Sequence, residues 1–139
     1  MSHSIRISSW PAALVAAVVA ISVAPAARAA TPAELLAGYS AQAGTAASPE
    51  RGQRFFTTNF GRDYASCATC HGAVPTKAGK DAATEKPIGA MAPAFNPARF
   101  TDKAKVENLF RLNCKDVVGR ECTAAEKADV LGWLLSLKP

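Results

Sequence analysis

Read for the spacing of its apolar positions, the chain divides into a continuous apolar opening, several short helical stripes and one long stretch without period. Trp10 to Val23 is almost without polarity. Thr31-Pro32-Ala33-Glu34 then has the form of a helix start, with an N-cap threonine, a proline in the first turn and a glutamate placed to close a capping box. Leu35, Leu36 and Tyr39 supply its apolar stripe, which Gly44 ends. Ser48-Pro49-Glu50 opens a second helix in the same way, leading to Phe55 and Phe56, which are expected to pack on a cofactor or on the last helix. Gly72 to Asn96 shows neither a period of 2 nor of 3.6 and reads as loop. After a cap at Asp102, Val106, Leu109, Phe110 and Asn113 fall at i, i+3, i+4 and i+7. Thr123 and Glu126 form another capping box, for a helix reaching about Leu137 with Val130, Trp133, Leu134 and Leu137 on one face. The expected fold class is therefore all-α, a small domain of short helices.

The opening run predicts export. His3 and Arg6 precede it and Ala-Pro-Ala-Ala-Arg-Ala follows, so residues 1–29 read as a secretory signal peptide and residues 30–139 as one mature domain. At 14 residues the run is short of the roughly 20 that a spanning helix needs, and Pro11 and Pro25 bracket it. Export places the domain in the periplasm, where thiols oxidise. Without Arg6 and Arg28 the formal charge falls from +5 to +3, which gives no indication of a nucleic-acid partner.

Composition then sharpens the chemistry. Cys67-Ala68-Thr69-Cys70-His71 has the spacing for covalent haem attachment: two thiols add to the two vinyl groups, and the following imidazole reaches the iron. Cys67 and Cys70 are thus the expected anchors of one haem c, and His71 its proximal ligand. A thioredoxin-like dithiol would call for a βαβ context, and a zinc site for a fourth ligand at finger-like spacing. Past the leader His71 is the only histidine and Met91 the only methionine. The sixth position therefore falls to Met91, to a less usual ligand, to water or to nothing. Asn113 closes an apolar stripe, either as a C-cap or with its carboxamide over the distal face. Cys114 and Cys122 remain once the haem has taken the other thiols, and in an oxidising compartment they are expected to pair.

A resemblance narrows these alternatives. Leu35-Leu36-Ala37-Gly38-Tyr39, Ala92-Pro93, Arg99-Phe100-Thr101-Asp102, Val106-Glu107, Arg111-Leu112-Asn113-Cys114, Val118-Gly119-Arg120-Glu121-Cys122-Thr123, Glu126-Lys127-Ala128-Asp129 and Trp133-Leu134 together closely resemble the sphaeroides haem protein family. The resemblance implies a class I cytochrome c-like fold wrapped around one haem, with Asn113 as distal iron ligand and a disulfide joining Cys114 to Cys122. It further implies that reduction loosens the asparagine, so that oxygen, nitric oxide or a similar small ligand reaches the iron. The implied redox partners are a dihaem cytochrome c and a membrane cytochrome b. Met91 stands where the family has leucine, which keeps an ordinary carrier ligated by His71 and Met91 as an alternative. A third reading is a haem-free exported module that uses Cys67 and Cys70 as a dithiol or metal site. Electron transfer follows from the cofactor; the residues do not decide whether the small ligand is also turned over.

Overall fold

A computed structural model describes residues 29–139; the expected leader lies outside the described residues except for Ala29. The elements are α1 (Pro32–Ala43), α2 (Pro49–Thr57), α3 (Ala68–His71), the two-residue strands β1 (Gly79–Lys80) and β2 (Pro87–Ile88), α4 (Lys103–Val117) and α5 (Ala124–Ser136). The all-α expectation holds. The one addition is the antiparallel pair β1–β2, which pairs Gly79 with Ile88 and Lys80 with Pro87 inside the stretch read as loop. Among the described residues no helix is long and apolar enough to cross a membrane.

The helix starts form as their sequences dictate. Thr31 Oγ1 accepts from the Glu34 amide at 3.1 Å, while the Glu34 carboxylate accepts from the Thr31 amide at 2.8 Å. Thr123 and Glu126 repeat the reciprocal pair at the head of α5, and the side chains of Ser48 and Asp102 cap α2 and α4.

The core lies where α5 crosses α1 and α2. Phe56, Leu131 and Leu134 are essentially sealed from solvent, and the Phe56 and Trp133 rings stand 5.1 Å apart. Burying a side chain of that size is worth roughly 2–3 kcal/mol. Gly52 is what lets the helices approach, because a Cβ there would overlap the Asp129 carbonyl. The same residue supplies the polar tie of the crossing. The Asp129 carboxylate accepts from the Ser48 amide at 2.6 Å and from Arg51 Nε and Nη2 at 2.7 and 2.8 Å, so a buried charge is met by three donors.

α4 is held on this core by one face only. Val106, Cys114 and Val117 are buried, and Phe110 meets Tyr39 edge-on with centroids 6.0 Å apart. The Lys127 ammonium lies 2.7 Å from Glu107 and 5.5 Å from the centre of the Tyr39 ring, tying α4 to α5. The Cys114–Cys122 disulfide joins the end of α4 to the entry of α5, as expected. Next to it the Arg120 fork grips Glu126 at 2.6 and 2.8 Å and holds its carboxyl below the ordinary 4.5. A carboxyl held low when folded stabilises the fold above its unfolded value, and that stabilisation fades as pH falls through the lower folded value. Thermal melts between about pH 6 and 3 are therefore expected to lose stability on acidification, with Glu126→Gln reducing the dependence; an equally steep dependence in the variant would remove Glu126 from the acid response.

Candidate haem site

The attachment motif forms a single helical turn. Cys67 starts α3, its carbonyl accepts from the His71 amide at 3.2 Å, and Gly72 with φ +79° ends the turn. Residues three and four apart share a helix face, so Cys67, Cys70 and His71 are brought to one side. Both thiols are free and half-buried. The imidazole packs 6.2 Å from the Phe56 ring, which fixes it against the core.

Electrostatics distinguish the readings of this motif. Burial, with a contribution from the cationic Arg99 beside it, pushes the His71 ring down to about 4, so at neutral pH it is an uncharged imidazole with a lone pair to donate. Its Nδ1 is buried without a hydrogen-bond partner among the described residues. Such a nitrogen costs about 1–3 kcal/mol, which a cofactor held at this site would help to offset. Burial pushes the Cys67 thiol up to about 11, the reverse of what a reactive dithiol needs. No set of three metal-binding side chains converges among the described residues, and no βαβ unit surrounds the motif. The donor set fits a haem.

The loop after His71 closes one flank. Pro75 is sealed, and its carbonyl accepts from the Met91 and Ala92 amides at 3.0 and 3.2 Å. Gly79 presses on the main chain of Cys70 and His71, where a Cβ would clash. Arg99 donates from Nε to the Ala90 carbonyl at 2.9 Å and from Nη2 to the Gly89 carbonyl at 2.6 Å, and Asn96 joins it on Ala90 at 3.0 Å. These ties fold the segment carrying Met91 onto the segment leaving His71. The Met91 side chain is itself half-buried against the core cluster. Neither Pro75 nor Gly79 was distinguishable from ordinary loop punctuation in the sequence, because what marks them is contact with a distant segment.

The other flank is α4, and here the expected stripe is corrected. Val106 and Phe110 pack inward with Cys114 and Val117, whereas Leu109, Leu112 and Asn113 are exposed on the adjoining face. Asn113 is not a cap: α4 runs on to Val117, and the amides of Val118 and Gly119 close its end on the Cys114 carbonyl. Its carboxamide has no hydrogen-bond partner among the described residues. Leu109, Leu112, Val74 and Phe95 are the large apolar side chains left 38–54 % exposed. They belong to α4 and to the segments around the attachment motif, and an apolar cofactor between those elements would have reason to be there.

Comparison with known proteins agrees. Residues 42–134 match a family model described as a domain of unknown function, DUF1924. Over 107 residues the chain is 50 % identical to the cytochrome c-type protein SHP of Cereibacter sphaeroides, a match covering 75 % of this chain and 82 % of that protein. The chain belongs to the sphaeroides haem protein family. The solved structure of oxidised SHP, described as an oxygen binding cytochrome c, superimposes with a TM-score of 0.73 at 47 % identity, covering 77 % of this chain and 97 % of that one. Oxidised cytochrome c'' from Methylophilus methylotrophus superimposes with a TM-score of 0.70 at 33 % identity, covering 78 % of this chain and 95 % of that one. As a member of the SHP family the chain is a haem cytochrome c.

Proposed function

We propose that the protein is a periplasmic electron-transfer cytochrome carrying one haem c, which takes up a small neutral ligand such as oxygen or nitric oxide when Asn113 yields its place. The observation that carries this reading is the division of α4 into two faces. One face is used up in packing, while the other presents Leu109, Leu112 and an uncommitted carboxamide at Asn113. The description of SHP as an oxygen binding cytochrome c supports the ligand, and the apolar run at the chain start supports the compartment.

The haem, when bound, supplies one-electron chemistry and a metal face for the ligand. The chain's residues do the rest. Cys67 and Cys70 hold the cofactor from one helical turn, and His71, kept neutral by burial, donates from the side that Phe56 fixes. Asn113 would offer a neutral amide oxygen, a hard donor that would suit ferric iron better than ferrous. Leu109 and Leu112 keep the surroundings apolar, favouring an uncharged ligand. Met91, packed on the core through its side chain and held by Pro75 through its amide, is less free to serve. A dihaem cytochrome c and a membrane cytochrome b are the proposed redox partners.

Carbon monoxide tests the reading. Dithionite-reduced holoprotein is expected to change its Soret spectrum on mixing with carbon monoxide, within seconds and without denaturant. A ferrous spectrum that carbon monoxide leaves unmoved would favour a sixth position closed by Met91.

A further inference from the structure

A single side chain joins the segment that enters the attachment turn to the end of the helix that carries Asn113. That segment, residues 58–66, is stiffened from within. The Phe60 amide donates to the Ala65 carbonyl at 2.8 Å, the Gly61 amide donates to Asn59 Oδ1 at 2.8 Å, and the Phe60 ring stands edge-on to Phe55 with centroids 5.3 Å apart. From this loop Arg62 reaches a residue 54 positions away, donating from Nε at 3.3 Å to the Asp116 carbonyl in the last turn of α4. The amides of Val118 and Gly119 close the helix on the Cys114 and Lys115 carbonyls, which leaves that of Asp116 to Arg62. A cation at a helix C-terminus is also favoured by the helix dipole. Gly119 makes the room for it, because a Cβ there would meet the guanidinium at 2.9 Å.

Both ends of this tie stand close to the site in the chain. Arg62 is five residues before Cys67, and Asp116 is three residues after Asn113, one turn on along the same side of α4. With the haem attached at Cys67 and Asn113 in the sixth position, the two segments are joined twice, once through the cofactor and once by Arg62. A group tethered in such a ring competes at a local concentration that the rest of the ring sets. We propose that Arg62 is a positioning residue: it fastens the last turns of α4 to the attachment segment and so sets how readily an incoming ligand displaces Asn113. This inference rests on Asn113 as the sixth ligand and adds what governs its release.

The test uses ferric holoprotein and imidazole, a neutral ligand that competes for the sixth position, followed through the Soret band. Wild type is compared with Arg62→Ala, Arg62→Lys, Asn113→Ala and the combination of Arg62→Ala with Asn113→Ala. Arg62 is exposed, so its variants are expected to fold and mature. Arg62→Ala is expected to bind imidazole about threefold more tightly than wild type, the scale of one solvent-exposed hydrogen bond. Arg62→Lys keeps a cation and a donor at the end of α4, and its affinity is expected to fall between the two. In the Asn113→Ala background the Arg62 substitution is expected to change nothing, since no tethered competitor is left. An unchanged affinity in Arg62→Ala, or an Arg62→Lys protein that binds as tightly as Arg62→Ala, would overturn the proposal. So would an effect of full size in the double variant, which a general loosening of the fold would produce. A ferric spectrum that Asn113→Ala alone leaves unmoved would overturn the ligand assignment and this inference with it, so the two failures are told apart.

Discussion

Asn113→Ala is expected to convert the ferric protein to a high-spin or water-ligated spectrum, while Met91→Ala leaves the wild-type ferric spectrum in place. The contrast follows from where the two side chains lie. Asn113 is exposed on α4 and makes no hydrogen bond among the described residues, so its removal is expected to change folding stability by no more than about 0.5 kcal/mol. Met91 is half-buried against the core, and truncating it is expected to cost about 1–2 kcal/mol, toward the lower end for methionine because the site is only partly enclosed. Spectrum and stability should thus respond to opposite variants. Optical spectra and thermal melts of both proteins check this, and loss of the low-spin ferric spectrum in Met91→Ala would assign the sixth position to methionine.

The second large effect is expected at the attachment thiols. Cys67→Ala with Cys70→Ala should abolish haem staining on a denaturing gel and lower the melting temperature steeply. Without the covalent link the apolar side chains of Val74, Phe95, Leu109 and Leu112 depend on reversible haem binding for cover. Covering roughly 200 Å² of such surface is worth about 5 kcal/mol, a large share of what a domain of this size possesses. Haem staining that survives denaturation in the double variant would place the covalent link elsewhere.

Local rules made the helix starts legible. Thr31, Ser48, Asp102 and Thr123 cap the helices that their sequences announce, because a cap is decided within four residues. The close spacing of Cys67, Cys70 and His71 is legible for the same reason. Less of α4 is legible: positions 106, 109, 110 and 113 fit one helical period, but the helix carries two apolar faces that turn in different directions, and a single period does not separate them. Nor does Asp129 look special in sequence: its burial and its three donors depend on Ser48 and Arg51, which lie 81 and 78 residues away. The β1–β2 pair escaped notice because two residues per strand are too few to show alternation.

The account stands on a haem held by Cys67 and Cys70, and the intact mass of the full-length gene product, purified from the periplasm of a host that matures c-type cytochromes, tests it most directly. The predicted result is a single species corresponding to residues 30–139 with one haem covalently added and the Cys114–Cys122 disulfide intact. A mass equal to that of the bare polypeptide would contradict it.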